Sequence, residues 1–163
     1  MSERILEIND LHVSFDISAG EVQAVRGVDF YLNKGETLAI VGESGSGKSV
    51  TTKAITKLFQ GDTGRIKKGS IKFLGEDLTQ KTEKELIKLR GKDISMIFQD
   101  PMTSLNPTMK IGKQVMEPLM KHRNYSKSEA KKRALEILNL VGLPHAEQRF
   151  NAYPHQFSGG QRQ

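Results

Sequence analysis

Residues 42–49 read Gly-Glu-Ser-Gly-Ser-Gly-Lys-Ser, and the predicted fold follows from this stretch. It fits the pattern Gly-x4-Gly-Lys-Ser/Thr of a phosphate-binding loop. The glycines let the backbone turn tightly and bring its amides against a phosphate with no side chain between them. Lys48 can reach the β- and γ-phosphates of a nucleotide as a point charge, and the Ser49 hydroxyl can bind a magnesium ion.

The segments on either side of this loop have the context that it requires. Thr37–Val41 is a short apolar run, rich in β-branched residues, that predicts a buried strand. Residues 48–59 predict a helix, whose first amides are unpaired and whose dipole favours anions. A second apolar run, Ile94–Phe98, predicts another buried strand.

The remaining patterns predict an α/β chain. Alternating apolar residues predict strands at 5–8, 11–17, 22–32 and 70–74, and residues 82–89 predict a helix. Ser126 and Glu129 have the spacing of a capping box at a helix start. The helix that follows has one apolar face, made of Ala130, Ala134, Ile137, Leu138 and Val141. Gly142 and Pro144 predict its end.

Composition excludes several classes of protein. The 163 residues include no Cys, so disulfides and thiolate metal sites are ruled out, and the four His show no metal-ligand spacing. No apolar run approaches the roughly 20 residues that cross a bilayer.

The net charge is +6, but the basic residues scatter over 67–68, 81–92 and 121–133 without interleaved aromatics. We interpret them as solvated faces rather than a nucleic-acid site; for 121–133, contact with acidic groups or lipid headgroups is the alternative.

Three motifs in order carry a family resemblance. Gly42–Ser49, Gln99 and Phe157–Gln161 resemble the Walker A loop, Q-loop and signature motif of ABC transporter nucleotide-binding domains. The first signature residue is Phe157, where the family commonly has Leu. The resemblance implies a P-loop NTPase fold with an antiparallel β part, a Walker A strand-loop-helix and a helical subdomain. It divides the chain into a nucleotide-binding core at 1–99, a helical subdomain at 100–156, and the signature motif with the start of a truncated helix at 157–163.

The stretch after Gln99 narrows the resemblance. Residues 99–107, Gln-Asp-Pro-Met-Thr-Ser-Leu-Asn-Pro, followed by Ile111-Gly112, are similar to oligopeptide and dipeptide importer ATPase subunits. The resemblance thus implies an ATPase that energises peptide import. Importers of nickel and other small solutes share much of the stretch and remain an alternative, as does a non-catalytic nucleotide-binding or interaction fragment. A soluble ABC ATPase of repair or translation is disfavoured because it lacks this stretch.

The resemblance also assigns roles to single residues. Lys48 and Gln99 would act in catalysis, and Ser49 and Gln99 would hold Mg2+. Ser158, Gly160 and Gln161 would bind the γ-phosphate of ATP held by a second subunit, although Ser158 could simply cap a helix. Phe15 would stack on adenine, with Val22 and Ala24 along the same edge, or else be a core strand residue. The ATP-binding loop comprises Gly42, Glu43, Ser44, Gly45, Ser46, Gly47, Lys48, Ser49 and Val50.

The same resemblance implies partners and a location. The implied partners are transmembrane permease subunits, a second ATP-binding subunit in a homo- or heterodimer, and indirectly a substrate-binding protein. The implied location of this chain is peripheral, at the cytoplasmic face of the cell membrane. No nucleic acid is expected.

The family's Walker B Asp, catalytic Glu and switch His would follow Gln161, where this sequence has two residues. We therefore expect an incomplete domain that binds nucleotide weakly without turnover. We also expect residues 37–41 and 94–98 to expose unpaired amides and apolar side chains.

Overall fold

The computed structural model describes residues 3–59, 63–98 and 104–162. The chain forms two compact units, Met1–Leu86 and Ile87–Gln163. In the described ranges, no helix is long and apolar enough to cross a membrane.

The first unit is built on a four-stranded antiparallel sheet with strand order β2-β1-β3-β4. Its strands are β1 (Arg4–Ile17), β2 (Gly20–Asn33), β3 (Gly64–Phe73) and β4 (Glu76–Asp77). Alternate side chains of the long strands are buried, as the period-two pattern predicts: Leu6, Ile8, Leu11, Val13, Val25 and Ile71. The antiparallel part expected from the sequence is therefore confirmed.

The break predicted between residues 8 and 11 is a bulge inside the single strand β1. Asp10 has φ +46°, and the pairing register of β1 shifts here against both neighbours. Its carboxylate lies 2.8 Å from His12 Nε2 and accepts from Lys68 Nζ of β3 at 2.6 Å. Its amide donates to Asp29 Oδ1 of β2 at 2.8 Å. One residue thus ties three strands together at the bulge.

The charge of Asp10 makes this bulge sensitive to acid. The hydrogen bond from Lys68, with a second from His12, holds the pKa of Asp10 below its ordinary range. A carboxyl whose pKa is lowered on folding stabilises the fold at neutral pH, and this contribution is lost as pH falls through the lowered pKa.

We predict that Asp10→Asn is less stable than the parent chain at pH 7. Asn tolerates the left-handed backbone but removes the charge. The difference in urea midpoint should shrink as pH falls below the ordinary range of aspartate pKa values, because the parent then loses the same charge. If the difference in urea midpoint stays constant through this acid range, the charge of Asp10 does not stabilise the fold.

Helix α1 (Lys48–Thr56) is shorter than the predicted 48–59. Lys57 turns to φ +50°, and its amide bonds to the carbonyl oxygens of Ala54 and Lys53, which closes the last turn. The Lys57 ammonium donates to Thr79 O at 2.6 Å, in a short 3-10 helix at Leu78–Gln80. The helix α2 spans Glu83–Leu89, close to the prediction of 82–89.

The two predicted buried strands, Thr37–Val41 and Ile94–Phe98, are not strands among the described residues. Only Ile94 forms an isolated bridge, with Arg90. A strand needs a neighbour to complete its hydrogen bonds, and apart from that bridge no described segment pairs with either run. Their apolar side chains are exposed, with Val41 at 87% and Ile97 at 96%. The strand prediction is wrong, whereas the expected apolar exposure is confirmed.

The second unit is helical. It contains α3 (Ile111–Arg123), α4 (Lys127–Leu140), α5 (Ala146–Arg149) and α6 (Gly159–Arg162), with a 3-10 helix at Pro154–Gln156. Its core consists of Ile111, Met116, Ala130, Ala134, Leu138, Leu143, Ala146, Phe150 and Phe157. Gly112 of α3 lies so close to Phe150 that a Cβ there would be 2.3 Å from the ring, so the helix packs on the ring directly.

The capping box at the start of α4 is confirmed. The Ser126 hydroxyl accepts from Glu129 N at 3.3 Å, and the Glu129 carboxylate accepts from Ser126 N at 2.8 Å. The helix ends at Leu140, and Gly142 follows at φ +75°, as predicted. Val141 was predicted to lie on the buried face but is 71% exposed, because it lies just beyond the helix end.

Candidate functional site

The glycine-rich loop lies directly before α1 and against strand β2. Gly47 is the N-cap of α1 and has φ +88°. A Cβ at this position would lie 2.5 Å from Ala24 O of β2, well inside contact distance. Only glycine tolerates both the positive φ and the close approach to Ala24 O. The last turn of the loop therefore depends on the absence of a side chain at residue 47.

Lys48 folds back over the loop that precedes it. Its ammonium donates to Gly42 O at 2.8 Å, to Glu43 O at 2.5 Å and to Ser46 Oγ at 3.3 Å. The backbone amide of Ser46 donates to Glu43 O at 3.3 Å, which closes the turn itself. The positive charge is thus held at the centre of the loop.

The first turn of α1 supplies donors. The first amide of this turn with a backbone acceptor is Thr51 N, which donates to Gly47 O at 2.8 Å. Among the backbone hydrogen bonds of the described ranges, the amides of Lys48, Ser49 and Val50 have no acceptor. Free amides at a helix start, beside a fixed ammonium, form an anion-binding arrangement. Ser49 is exposed, so its hydroxyl can reach a Mg2+ ion carried by a bound nucleotide.

Phe15 lies on the strand edge that leads to the loop. It is paired in register with Val22 of β2, two residues before Ala24, whose carbonyl oxygen faces Gly47. The Phe15 ring is half-buried and contacts Phe59 edge to face, with centroids 5.8 Å apart. The structure therefore brings the three predicted adenine-side residues along one strand pair that reaches the loop.

The signature residues lie in the second unit around α6. Ser158, Gly160 and Gln161 are exposed, whereas Phe157 is only 5% exposed and belongs to the helical core. Phe157 therefore anchors the motif, and an apolar residue suffices for this task. The motif's polar residues remain accessible.

The sequence analysis did not predict a contact between Arg149 of α5 and the signature residue Gln161. The Arg149 guanidinium donates to Gln161 Oε1 at 2.8 Å and lies 5.5 Å from the centroid of the Phe157 ring. The same Gln161 oxygen accepts from Ser158 N at 3.1 Å. Arg149 is twelve positions before Gln161, and the intervening 3-10 helix brings them together, so no sequence spacing could have indicated the pair.

The described residues do not include one predicted site residue, Gln99, and they contain no cluster of side chains placed to hold a metal ion. Gln99, predicted to act in catalysis and in Mg2+ binding, lies outside the described ranges. In the part of the chain that the structure describes, no group of three or more His, Asp or Glu side chains is placed to hold a metal ion. Among the predicted Mg2+ ligands, the described residues include Ser49, whose exposed hydroxyl would be able to contact such an ion.

A glycine loop before a helix, with a lysine folded over it, defines a P-loop nucleotide-binding protein. The family model of ABC transporters matches residues 25–163. The chain belongs to the ABC transporter family.

Two relatives are similar over nearly the whole chain. The oligopeptide transport ATP-binding protein OppD of Bacillus subtilis is 62% identical over 160 residues, which cover 98% of this chain and 45% of that protein. The dipeptide transport ATP-binding protein DppD of Lactococcus lactis is 57% identical over 162 residues, which cover 99% and 46%. The chain thus spans about half the length of the curated relatives it matches.

A solved structure agrees with the predicted fold. A dimeric ATP-binding cassette in a post-hydrolysis state, bound to ADP and Pi, superposes with a TM-score of 0.81 at 28% identity. The superposition covers 97% of this chain and 65% of that one. The P-loop NTPase fold class is therefore confirmed.

We predict that Gly47→Ala destabilises the first unit far more than Gly45→Ala. Both positions have positive φ, so each substitution should cost roughly 1–2 kcal/mol of backbone strain. Only Gly47→Ala adds a collision with Ala24 O, worth roughly another 1–3 kcal/mol, since nothing lies within 4 Å of a Cβ at Gly45. Urea unfolding without nucleotide measures the difference. Equal losses in the two variants would show that β2 does not constrain the loop.

Proposed function

We propose that this chain carries the ATP-binding loop of a subunit that energises import of oligopeptides or dipeptides. The observation that supports this most directly is Lys48, held over the loop by Gly42 O and Glu43 O beside the free amides of α1. The transport ATP-binding proteins that resemble the chain extend the proposal from ATP binding to peptide import.

Within this proposal, residues 42–50 bind the phosphates of ATP. The amides at the start of α1 and the Lys48 ammonium neutralise the phosphate charge, and the Ser49 hydroxyl binds the Mg2+ ion. A bound Mg2+ ion would neutralise part of the phosphate charge. Gln99 contributes to the magnesium and water positions, and Phe15 stacks on adenine beside Val22 and Ala24.

The signature motif serves a second nucleotide. We propose that Ser158, Gly160 and Gln161 bind the γ-phosphate of ATP held by another ATP-binding subunit, whether identical or different. Their exposure supports this role, because a phosphate on another molecule can approach them. Arg149 holds the Gln161 side chain in place for this contact.

The partners follow from the same proposal. The subunit binds transmembrane permease subunits at the cytoplasmic face of the cell membrane, and the permease in turn accepts cargo from a substrate-binding protein. We propose that the permease contact lies on the helical subdomain. The proposed division of the chain is a core at 1–99, the helical subdomain at 100–156 and the signature segment at 157–163.

We predict that Lys48→Ala weakens binding of Mg-ATP to this chain at least tenfold. A hydrogen bond to a charged group contributes roughly 1.5–3 kcal/mol, which corresponds to about a tenfold to hundredfold change in Kd. Lys53→Ala, at the far end of α1, removes the same charge away from the loop and should leave affinity unchanged. Isothermal titration calorimetry measures both. Unchanged affinity in Lys48→Ala, with the fold intact by circular dichroism, would refute the proposed site.

The cargo is tested separately in cells. We predict that introducing Lys48→Ala into the chromosomal gene abolishes uptake of a radiolabelled tripeptide and leaves uptake of radioactive nickel unchanged. The Lys53→Ala strain should take up both like the parent. Loss of nickel uptake with normal peptide uptake would contradict peptide import, yet would leave the ATP-binding loop in place.

A further inference from the structure

Positive charge is concentrated in one short stretch of the second unit. Residues 121–133 contain six basic residues and one acidic residue, a net charge of +5 where the whole chain has +6. The basic residues are Lys121, Arg123, Lys127, Lys131, Lys132 and Arg133. The rest of the chain has a net charge of +1, with shorter basic runs at 67–68 and 81–92, so residues 121–133 carry the largest local excess of positive charge.

The structure places the first half of this stretch at the end of a helical hairpin. The helix α3 ends at Arg123 and α4 begins at Lys127, so residues 124–126 form the connection. We call residues 120–127 the basic hairpin end. Asn124 takes φ +54° and caps α3 through its amide to Leu119 O, which makes the turn tight. Lys121, Arg123 and Lys127 are all exposed around this turn.

The charges of the basic hairpin end are not neutralised within the described ranges. The side chains of Lys121, Arg123 and Lys127 have no acidic partner or hydrogen-bond acceptor there. Two acidic residues are near the hairpin end in sequence: Glu117, one helical turn before Lys121, and Glu129, which accepts a hydrogen bond from the Ser126 hydroxyl at 2.6 Å. Arg133, further along α4, is paired with Glu136 at 2.9 Å. The hairpin end thus carries three cations that form no ion pair in the described ranges, with Glu117 as the acidic residue nearest to Lys121 in sequence.

Helix stability explains only part of this charge. Basic residues in the last turn of α3 complement its dipole and stabilise it. Lys127 is the first residue of α4, where the dipole disfavours a cation, and it lies four residues before Lys131, a destabilising like-charge spacing. The stability of α4 therefore does not account for a cation at this position.

Exposed apolar groups accompany the cations. Met120 is 43% exposed and Tyr125 is 38% exposed, and they flank Lys121 and Arg123 in sequence. A tyrosine and a long apolar side chain between basic residues suit the boundary between lipid headgroups and acyl chains. Nucleic acid is disfavoured, because stacking surfaces for bases need several aromatics and Tyr125 is the single aromatic residue of this stretch.

We propose that the basic hairpin end binds the headgroups of anionic phospholipids and so places the second unit on the membrane surface. This contact goes beyond the proposed ATP-binding and transport roles, since it requires neither nucleotide nor a permease. Lys121, Arg123 and Lys127 supply the attraction, and Met120 and Tyr125 enter the headgroup layer.

Sedimentation with vesicles, without nucleotide, tests the proposal. The chain should bind vesicles of phosphatidylglycerol and phosphatidylcholine and not vesicles of phosphatidylcholine alone, and 0.5 M salt should release it. Each basic residue near an anionic surface contributes roughly a fivefold factor in affinity. The variant Lys121→Gln/Arg123→Gln/Lys127→Gln should therefore bind on the order of a hundredfold more weakly.

A matched variant separates this surface from net charge. Lys72→Gln/Lys84→Gln/Lys88→Gln removes three exposed lysines elsewhere and should stay within a few-fold of the parent. Equal losses in the two variants, both folded by circular dichroism, would overturn the proposal. Tighter binding to duplex DNA through the hairpin residues would also overturn it, in favour of a nucleic-acid surface. Because ATP is absent from the assay, its failure leaves the proposed nucleotide site untouched.

Discussion

The approach of Gly47 to the Ala24 carbonyl of β2 is the constraint on which the rest of the site depends. Because no Cβ separates loop from strand, the chain can turn at φ +88° and begin α1 at the next residue. That start leaves the first amides of α1 free and places Lys48 where its ammonium reaches back to Gly42 O and Glu43 O. The antiparallel sheet is therefore part of the phosphate site, because one of its strands sets the position of the loop.

The signature motif is positioned by a different principle. Phe157 is buried in the helical core and so fixes the position of the motif's backbone. The Arg149 guanidinium lies over the Phe157 ring and donates a hydrogen bond to the amide oxygen of Gln161. Apolar packing fixes the backbone, and a charge-assisted hydrogen bond orients the exposed polar group. Exposed groups held in this way are suited to contact another molecule without first being ordered.

Exposed apolar segments coexist with well-packed cores in this chain. Thr37–Val41 and Ile94–Phe98 have the composition of buried strands, yet neither run pairs with a second strand among the described residues, and Val41 and Ile97 face solvent. Composition specifies what a segment is suited to, whereas a strand forms only when a second segment completes its hydrogen bonds. The antiparallel hairpin of β1 and β2 forms because both partners are neighbours in sequence.

The sequence by itself determined the phosphate loop, the alternating sheet strands, the Ser126–Glu129 capping box and the family, because each is read from short runs of neighbouring residues, in the case of the family from three such runs in order. The tertiary structure alone decided the contacts between distant residues. These are the Asp10–Lys68 tie at the bulge, the fit of Gly47 to Ala24, the Arg149–Gln161 hydrogen bond, and the absence of a partner for 37–41 within the described ranges. Local patterns reflect backbone conformation and periodicity, which sequence encodes directly. A contact between remote residues depends instead on how whole elements pack, and no spacing rule along the chain specifies that.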